Sequence, residues 1–266
     1  MVAPTASFTG PSFYDEQLVP VQFGPFAEQL VARIPANVRG PVLEIACGTG
    51  ALTRPLRERL DASVELVATD LAPGMLDYAQ ARSQGRAGIT WHVADAQQLP
   101  FDDGAFGAMA CAFGFMFCPD RLAALREARR VLAPGGLLAF TVWDRIEANP
   151  HALANAQVLE ARFPGDAQMK FRTPYEMSDE GVLQGLLAAA GFADVTIDTC
   201  RLPIRGVDPH TLASGQIRGT PRSALLVERG VSLDEVIGEV AGALAVQGGS
   251  PYAGHAQAKI VTARVP

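Results

Sequence analysis

Along the first half of the chain, apolar runs of strand length alternate with stretches of helical spacing. VLEIACGTG, from Val42 to Gly50, is an apolar run that ends in small residues and two glycines, and ALTRPLRERL after it reads as a helix. VELVATD ends at Asp70 and leads into APGMLDYAQARS, with Pro73 in the first helical turn and Met75, Leu76 and Ala79 as the inward stripe. ITWHVAD ends at Asp95 as a third strand. AFGAMACAF is apolar almost throughout, as expected of a central parallel strand covered on both faces. Asp120 is placed to cap RLAALREARRVL, whose Leu122, Leu125, Ala128, Val131 and Leu132 follow helical spacing and which Pro134, Gly135 and Gly136 end. LLAFTVW is the fifth strand. This order predicts an α/β fold built on a doubly wound parallel sheet.

The flanks break the alternation. Residues up to about Gly10 are small and turn-forming and read as a mobile tail. EQLVPVQFGPFAEQLVARI is interrupted by Pro20 and Pro25, which predicts two short helices with a break between them. Beyond Trp143, ANPHALANAQVLEARF is helical, FPGDAQMKFRTPYEMS is a loop, and SDEGVLQGLLAAAG is a helix capped by Ser178 or Asp179. AGFADVTIDT is a sixth strand, one or two helices follow from HTLASG onward, and KIVTARV is the last strand. The expected organisation is one domain over 1–266, with cap helices in 1–38, a cofactor-binding core in 39–146, and lid helices with the last two strands in 147–266.

The strand, glycine turn and helix around Gly48 and Gly50 form a nucleotide-site pattern. Glycines let a ligand approach the backbone, and a helix start offers unpaired N–H groups. The third glycine of a dinucleotide fingerprint would fall at Thr53, which counts against NAD and FAD. Glu44 is an acid inside an apolar strand, costly to bury unless paired or hydrogen-bonded. Asp70 stands 20 residues after Gly50, where an acid at a strand tip reaches ribose hydroxyls. With Asp95 these acids would line one sheet edge, where open α/β sheets bind ligands. A purely structural carboxylate at Glu44 and a helix cap at Asp70 are the alternatives.

VLEIACGTG, ATDLAPGML, VADAQQLPFDDGAFGAMACAFGFMFCPD and LREARRVLAPGGLLAFTVW resemble, in order and spacing, the class I S-adenosylmethionine-dependent methyltransferases. The likeness is greatest to the type 11 group that includes the ubiquinone and menaquinone biosynthesis enzymes. It runs from about Tyr14 to Trp143 and continues more weakly over AAAGFADVTI and the C-terminal strand. Two positions depart from the family pattern. Its usual first glycine is Ala46, small enough to change little, and the Asp after Phe in its "FD" signature is Gly107, which leaves the anchoring of the fourth strand open.

The resemblance implies a Rossmann-like seven-stranded sheet, mostly parallel with the last strand antiparallel, under a helical cap and lid. It implies S-adenosyl-L-methionine as cofactor. Glu44 would face the ammonium group above the turn of Ala46, Cys47, Gly48 and Gly50. Asp70 would accept from both ribose hydroxyls, with Leu71 and Met75 covering sugar and base, and Asp95 with Ala96 would meet the adenine edge. Gln97, Ala112 and Phe113 belong to the same set, and Tyr14 and Phe23 would close over it or else pack on the core. Phe115, Phe117, Trp143, Tyr175 and Met177, with Phe113, Met116, Met169 and Phe171, would line an apolar acceptor pocket or serve as core. Methyl transfer from a sulfonium is an in-line displacement that depends mainly on alignment in a dry pocket. If a base assists, it must lie near the ends of the fourth and fifth strands or on the lid. That singles out His151, with His210 and His255, over His92 inside a strand.

Composition narrows the partners. At 266 residues the chain can bury a substantial core, and its net charge of −6 without a basic block argues against nucleic-acid backbone binding. The expected partner is a small-molecule methyl acceptor, aromatic or heterocyclic, with a homodimer left open. Cys47, Cys111, Cys118 and Cys200 lack paired metal-ligand spacing and read as reduced thiols of a cytoplasmic protein. No metal site is expected, because neither HExxH nor clustered His and Asp ligands occur. The N-terminus lacks an export signal, and the longest apolar run is too short for a membrane helix. The rival readings are a nucleic-acid methyltransferase, which lacks its D/N-P-P-Y/F tetrapeptide here, and a cofactor-binding protein without catalysis.

Overall fold

Val42, Leu43 and Glu44 form β1 (Val42–Glu44), a central strand paired on both edges, and all three side chains are buried. The computed structural model describes residues 10–169 and 172–266, so the tail before Gly10 and Phe171 lie outside the described residues. β1 pairs in parallel with β2 (Leu66–Asp70) and with β4 (Phe106–Ala112), β2 with β3 (Ile89–Val93), and β4 with β5 (Leu132–Trp143). β7 (Tyr252–Arg264) runs antiparallel to β5, and β6 (Ala193–Val207) completes a seven-stranded sheet in the order β3-β2-β1-β4-β5-β7-β6. The order reverses between β1 and β4, the switch point at which such sheets open a crevice.

The chain folds into two compact units. The sheet unit takes Phe26–Arg145, Thr173–Cys200 and Gln257–Pro266. Its core packs Leu30, Ile34, Leu52, Leu56 and Leu66 with Val42, Ala108 and Ala139. Its crossover helices are α3 (Thr53–Arg59), α4 (Pro73–Arg82) and α5 (Arg121–Val131), and α7 (Glu180–Ala189) precedes β6. α4 buries Met75, Leu76 and Ala79, the predicted stripe. Asp120 accepts the Ala123 N–H at 2.9 Å, and Asp179 rather than Ser178 accepts that of Val182, so both helices start on a carboxylate cap.

Lys259 of β7 is buried and donates to Glu180 Oε1 of α7 at 2.6 Å and Thr199 Oγ1 of β6 at 2.8 Å. Its Nζ lies 3.7 Å from Asp144, which also accepts from Gln257. One desolvated ammonium thus fixes the register of β7 against its neighbours.

The helical unit takes the described residues up to Pro25 together with Ile146–Arg172 and Arg201–Ala256. It holds α6 (Pro150–Arg162), α8 (Pro209–Arg218), α9 (Arg222–Glu228) and α10 (Leu233–Gly248), so three helices follow β6 where one or two were expected. α10 packs on α6 and α8.

Two further expectations give way. Residues 11–31 are helical throughout, through α1 (Pro11–Phe13), a π-helix (Tyr14–Phe23) and α2 (Gly24–Val31). The Gly24 N–H reaches Val19 O, five residues back, so the wider π turn carries the backbone past Pro20 without a break. α5 ends at Val131, before the Pro-Gly-Gly that was expected to stop it. β5 already starts at Leu132, and Gly135, at φ 76°, donates to Val265 O at 2.9 Å while Gly136 O accepts from Val265.

The structure also shows what anchors β4. The Gly107 N–H donates to Pro41 O at 3.0 Å, and a Cβ at Gly107 would stand 1.9 Å from Arg39 O. No side chain fits against that backbone. Gly107→Ala is expected to destabilise the fold by about 1–3 kcal/mol, the usual cost of overpacking, as a shift in the urea midpoint at unchanged slope.

Candidate functional site

The parallel strands deliver three acids to one edge: Glu44 closes β1, Asp70 closes β2, and Asp95 follows β3 by two residues. After Glu44 the backbone turns through Ala46, Gly48 and Gly50, at φ 52°, 55° and 82°. This left-handed geometry is natural for glycine and strained for alanine by about 1–2 kcal/mol, so Ala46 changes more than its size suggests. A Cβ at Gly48 would meet nothing within 4 Å. The bare backbone therefore leaves open space that a side chain would fill.

Asp70 holds this turn. Its Oδ2 accepts the Gly48 N–H and its Oδ1 the Ala72 N–H, both at 2.8 Å. The Leu71 N–H also bears on this carboxyl, so of its about four lone-pair positions some capacity for a further donor remains. Burial pushes the Asp70 carboxyl above the ordinary range, and the N–H groups of Ala72 and Gly48 oppose that rise. Cys47 donates its N–H to Thr69 O, and its thiol packs with Ala68 and Leu76, so its side chain belongs to the core. Burial, with the Glu44 and Asp70 charges, pushes that thiol well above its ordinary value.

Glu44 is 1% exposed, and its Oε2 has no hydrogen-bond partner. Burial raises its pKa to about 8; the Asp70 charge adds to the rise, and Thr53 and Arg54 oppose it. The arrangement is that of a carboxyl awaiting a donor. A buried cation beside Oε2 would both satisfy it and restore its charge.

Asp95 makes a separate turn. Its Oδ1 accepts the Gln97 N–H at 2.8 Å, and Gln97 Oε1 accepts the Asp120 N–H at 2.9 Å, so Gln97 ties this loop to the start of α5. Ala96 is half-buried, Leu71 is exposed and Met75 is buried. Ala112 ends β4, and Phe113 after it sits at φ 58°, an unusual conformation for so large a residue. That conformation lays its ring on Trp143, centroids 4.0 Å apart, with Phe26 edge-on to both and Tyr175 stacked on Trp143 at 6.3 Å. Phe115 and Met116 are buried, Phe115 against Phe140, whereas Phe117 is exposed and Met177 is fully buried.

Tyr14, Phe23, His151 and Met169 belong to the helical unit. Tyr14 and Phe23 pair with each other, rings 4.7 Å apart. His151 is fully buried, its Nδ1 3.3 Å from His255 O, and burial lowers its pKa to about 4. His92 lies exposed on β3, its ring edge-on to Phe101. Sequence reasoning misses Gly114. A Cβ there would come within 2.5 Å of Ala46 Cβ and 2.7 Å of Cys111 Sγ, so it lets the end of β4 approach the turn. A glycine inside the apolar run AFGFMF is the available signal. All four cysteines are free thiols, and among the described residues no group of His, Cys, Asp and Glu could hold a metal ion.

A doubly wound sheet with this glycine turn and these acids is the arrangement that the sequence motifs led us to expect of an S-adenosylmethionine-dependent methyltransferase fold. Residues 43–140 match the methyltransferase domain family. It is 46% identical over 98 residues to a demethylmenaquinone methyltransferase of Thermus thermophilus, covering 36% of this chain and 44% of that protein. It is 32% identical over 185 residues to the methyltransferase tpcH of Aspergillus fumigatus, covering 62% of each. The chain thus spans less than two thirds of these relatives. A solved structure of phosphoethanolamine N-methyltransferase 2 from Haemonchus contortus in complex with S-adenosyl-L-methionine superposes with TM-score 0.64 at 18% identity, over 98% of this chain and 57% of that one. That likeness concerns the fold. S-adenosyl-L-methionine is the cofactor of this domain class, and the unpartnered Glu44 Oε2 and the bare Gly48 backbone fit its ammonium-bearing chain.

Because folding raises the Glu44 pKa, the folded state keeps this proton longer than the unfolded state between pH 4.5 and about 8. Stability of the ligand-free protein therefore falls as pH rises through that window. Glu44→Gln is expected to flatten this slope in denaturation series and to weaken cofactor binding. An unchanged slope would show that Glu44 is ionised in the folded protein.

Proposed function

We propose that the chain transfers a methyl group from S-adenosyl-L-methionine to a small, largely apolar acceptor with an aromatic, heterocyclic or quinone-like ring. The buried Glu44 carboxyl beside the glycine turn, whose Oε2 has no partner, carries the methyl-transfer reading. The stacked Phe113, Trp143 and Tyr175, edge-on to Phe26, support the ring-bearing acceptor. The name of one relative, a demethylmenaquinone methyltransferase, fits a small-molecule acceptor. The reading takes 1–266 as one catalytic domain and the reduced thiols as a sign of the cytoplasm.

When bound, the cofactor supplies an electrophilic methyl on a sulfonium. Glu44 holds the ammonium end, Asp70 receives the ribose hydroxyls while it keeps the turn in shape, and Asp95 with Ala96 meets the base. Phe113 and Trp143 exclude water and align a ring for in-line attack. Such positioning supplies roughly 7–11 kcal/mol, against about 10²- to 10⁴-fold from general acid–base assistance. An imidazole with a pKa near 4 is a weak base, so His151 assists at most.

In calorimetry, Asp70→Ala should weaken S-adenosyl-L-methionine binding by about 2–4 kcal/mol, since charged acceptors contribute more than neutral ones. Unchanged affinity would remove the cofactor assignment, and cofactor binding without turnover on a broad panel of small aromatics would favour a non-catalytic protein.

Once a substrate is found, His151→Ala should lower kcat without abolishing it, and EDTA should leave the rate unchanged. Complete loss in the variant with cofactor affinity retained would make His151 an essential base.

A further inference from the structure

We propose that Thr53 is a positioning residue for the cofactor, its buried hydroxyl donating to the Glu44 carboxylate and holding it ready for the ammonium end. The inference rests on the methyl-transfer reading for the identity of the ligand, but its first readout is taken on the ligand-free protein. Every residue it uses belongs to the sheet unit.

Thr53 stands three residues after Gly50, where a dinucleotide-binding turn carries its third glycine. That glycine serves close packing of helix on strand, so a side chain there has to be accommodated. Thr53 is accommodated inside: it is fully buried as the first residue of α3, and its Oγ1 lies 3.6 Å from the position a Cβ would take at Gly50. Leu52 beside it and Leu56 pack with Val42 of β1 in one core, and the Arg54 N–H donates to Gly50 O at 3.2 Å. The start of α3 is thereby seated against the strand that Glu44 closes.

Two buried oxygens at this place, Glu44 Oε2 and Thr53 Oγ1, make no hydrogen bond of ordinary geometry. Burial dominates the environment of the Glu44 carboxyl and raises its pKa; the Thr53 hydroxyl comes next and opposes that rise. Asp70 on β2 adds to the rise, and Arg54 on α3 opposes it. The thiols of Cys47 in the turn and Cys111 on β4 also feel the Glu44 charge, and burial keeps both protonated. Asp70 meanwhile accepts from Gly48 and Ala72, and Arg54 Nη1 donates to Thr49 O at 2.8 Å.

A hydroxyl carries one hydrogen and rotates to aim it. Toward an ionised carboxylate its bond is charge-assisted, and toward a protonated one it is the weaker neutral kind, so Thr53 favours the charged form of Glu44. A valine of the same shape offers the charge nothing. With Thr53 as donor, the carboxylate keeps lone pairs at Oε2 for the ammonium.

The test follows the Glu44 ¹³Cδ resonance against pH in the ligand-free full chain. In Thr53→Val the midpoint should rise by about one pH unit or more, and in Thr53→Ser, which keeps the hydroxyl, it should stay near that of the wild type. At neutral pH, Thr53→Val should bind S-adenosylhomocysteine about tenfold more weakly in calorimetry, and 5′-methylthioadenosine, which lacks the ammonium-bearing chain, about twofold more weakly or less. In the wild type, the Thr53 hydroxyl proton should give a slowly exchanging resonance that moves as Glu44 titrates, a readout that does not depend on the variants folding. An unmoved midpoint in Thr53→Val, a serine variant that behaves as the valine one, equal losses for the two ligands, or no such hydroxyl resonance would each overturn the inference. Failure of the wild type to bind either ligand would strike the methyl-transfer reading, whereas failure of the ligand-free titration alone strikes only the role of Thr53.

Discussion

The sheet unit depends on one carboxylate, that of Asp70. Its two oxygens take the N–H of Gly48, in the turn after β1, and of Ala72, at the start of the turn into α4. The two crossovers are thereby locked to each other rather than each to its own strand. The turn needs such a tie because it carries left-handed backbone at Ala46, Gly48 and Gly50, which local propensity alone does not hold at an alanine. Burial sharpens the effect, since charge-assisted hydrogen bonds strengthen where water is excluded.

Much of this is legible in the sequence, for identifiable reasons. An acid at the end of an apolar run is an anomaly that periodicity exposes, so Glu44, Asp70 and Asp95 stand out. Asp120 and the stripe of Met75, Leu76 and Ala79 follow from rules that act within one helical turn. Features set by distant segments are not legible. Gly107 is explained only by Arg39 across the turn, and Gly114 only by Ala46 and Cys111. Pro20 reads as a breaker because an α-helix is the default, and the π register that accommodates it carries no compositional mark. Asn155 on α6 meets Gln216 and Arg222, 61 and 67 residues later on α8 and α9, and none is unusual until burial reveals it.

The two units treat buried polarity differently. In the sheet unit it includes charges of both signs, Glu44 and Asp144 with Arg57 and Lys259, besides threonine and serine hydroxyls. In the helical unit it is mostly amide and imidazole, distributed over α6, α8 and the π-helix. Neutral groups in a helical interior impose less desolvation than charges and discriminate by hydrogen-bond direction, which suits a unit whose interior lacks the fixed edge of a sheet.

The strand order has a consequence for how the chain is made. β7 is synthesised after β6 yet lies between β5 and β6, so β6 has no sheet neighbour until β7 inserts. During translation the β6 edge waits while three helices and about fifty residues of chain are added. Sheet closure is then a late, non-local event. The alternating exposure along β6 gives that waiting strand a polar face, with Asp194, Asp198 and Arg201 exposed, which discourages pairing with another chain in the interval.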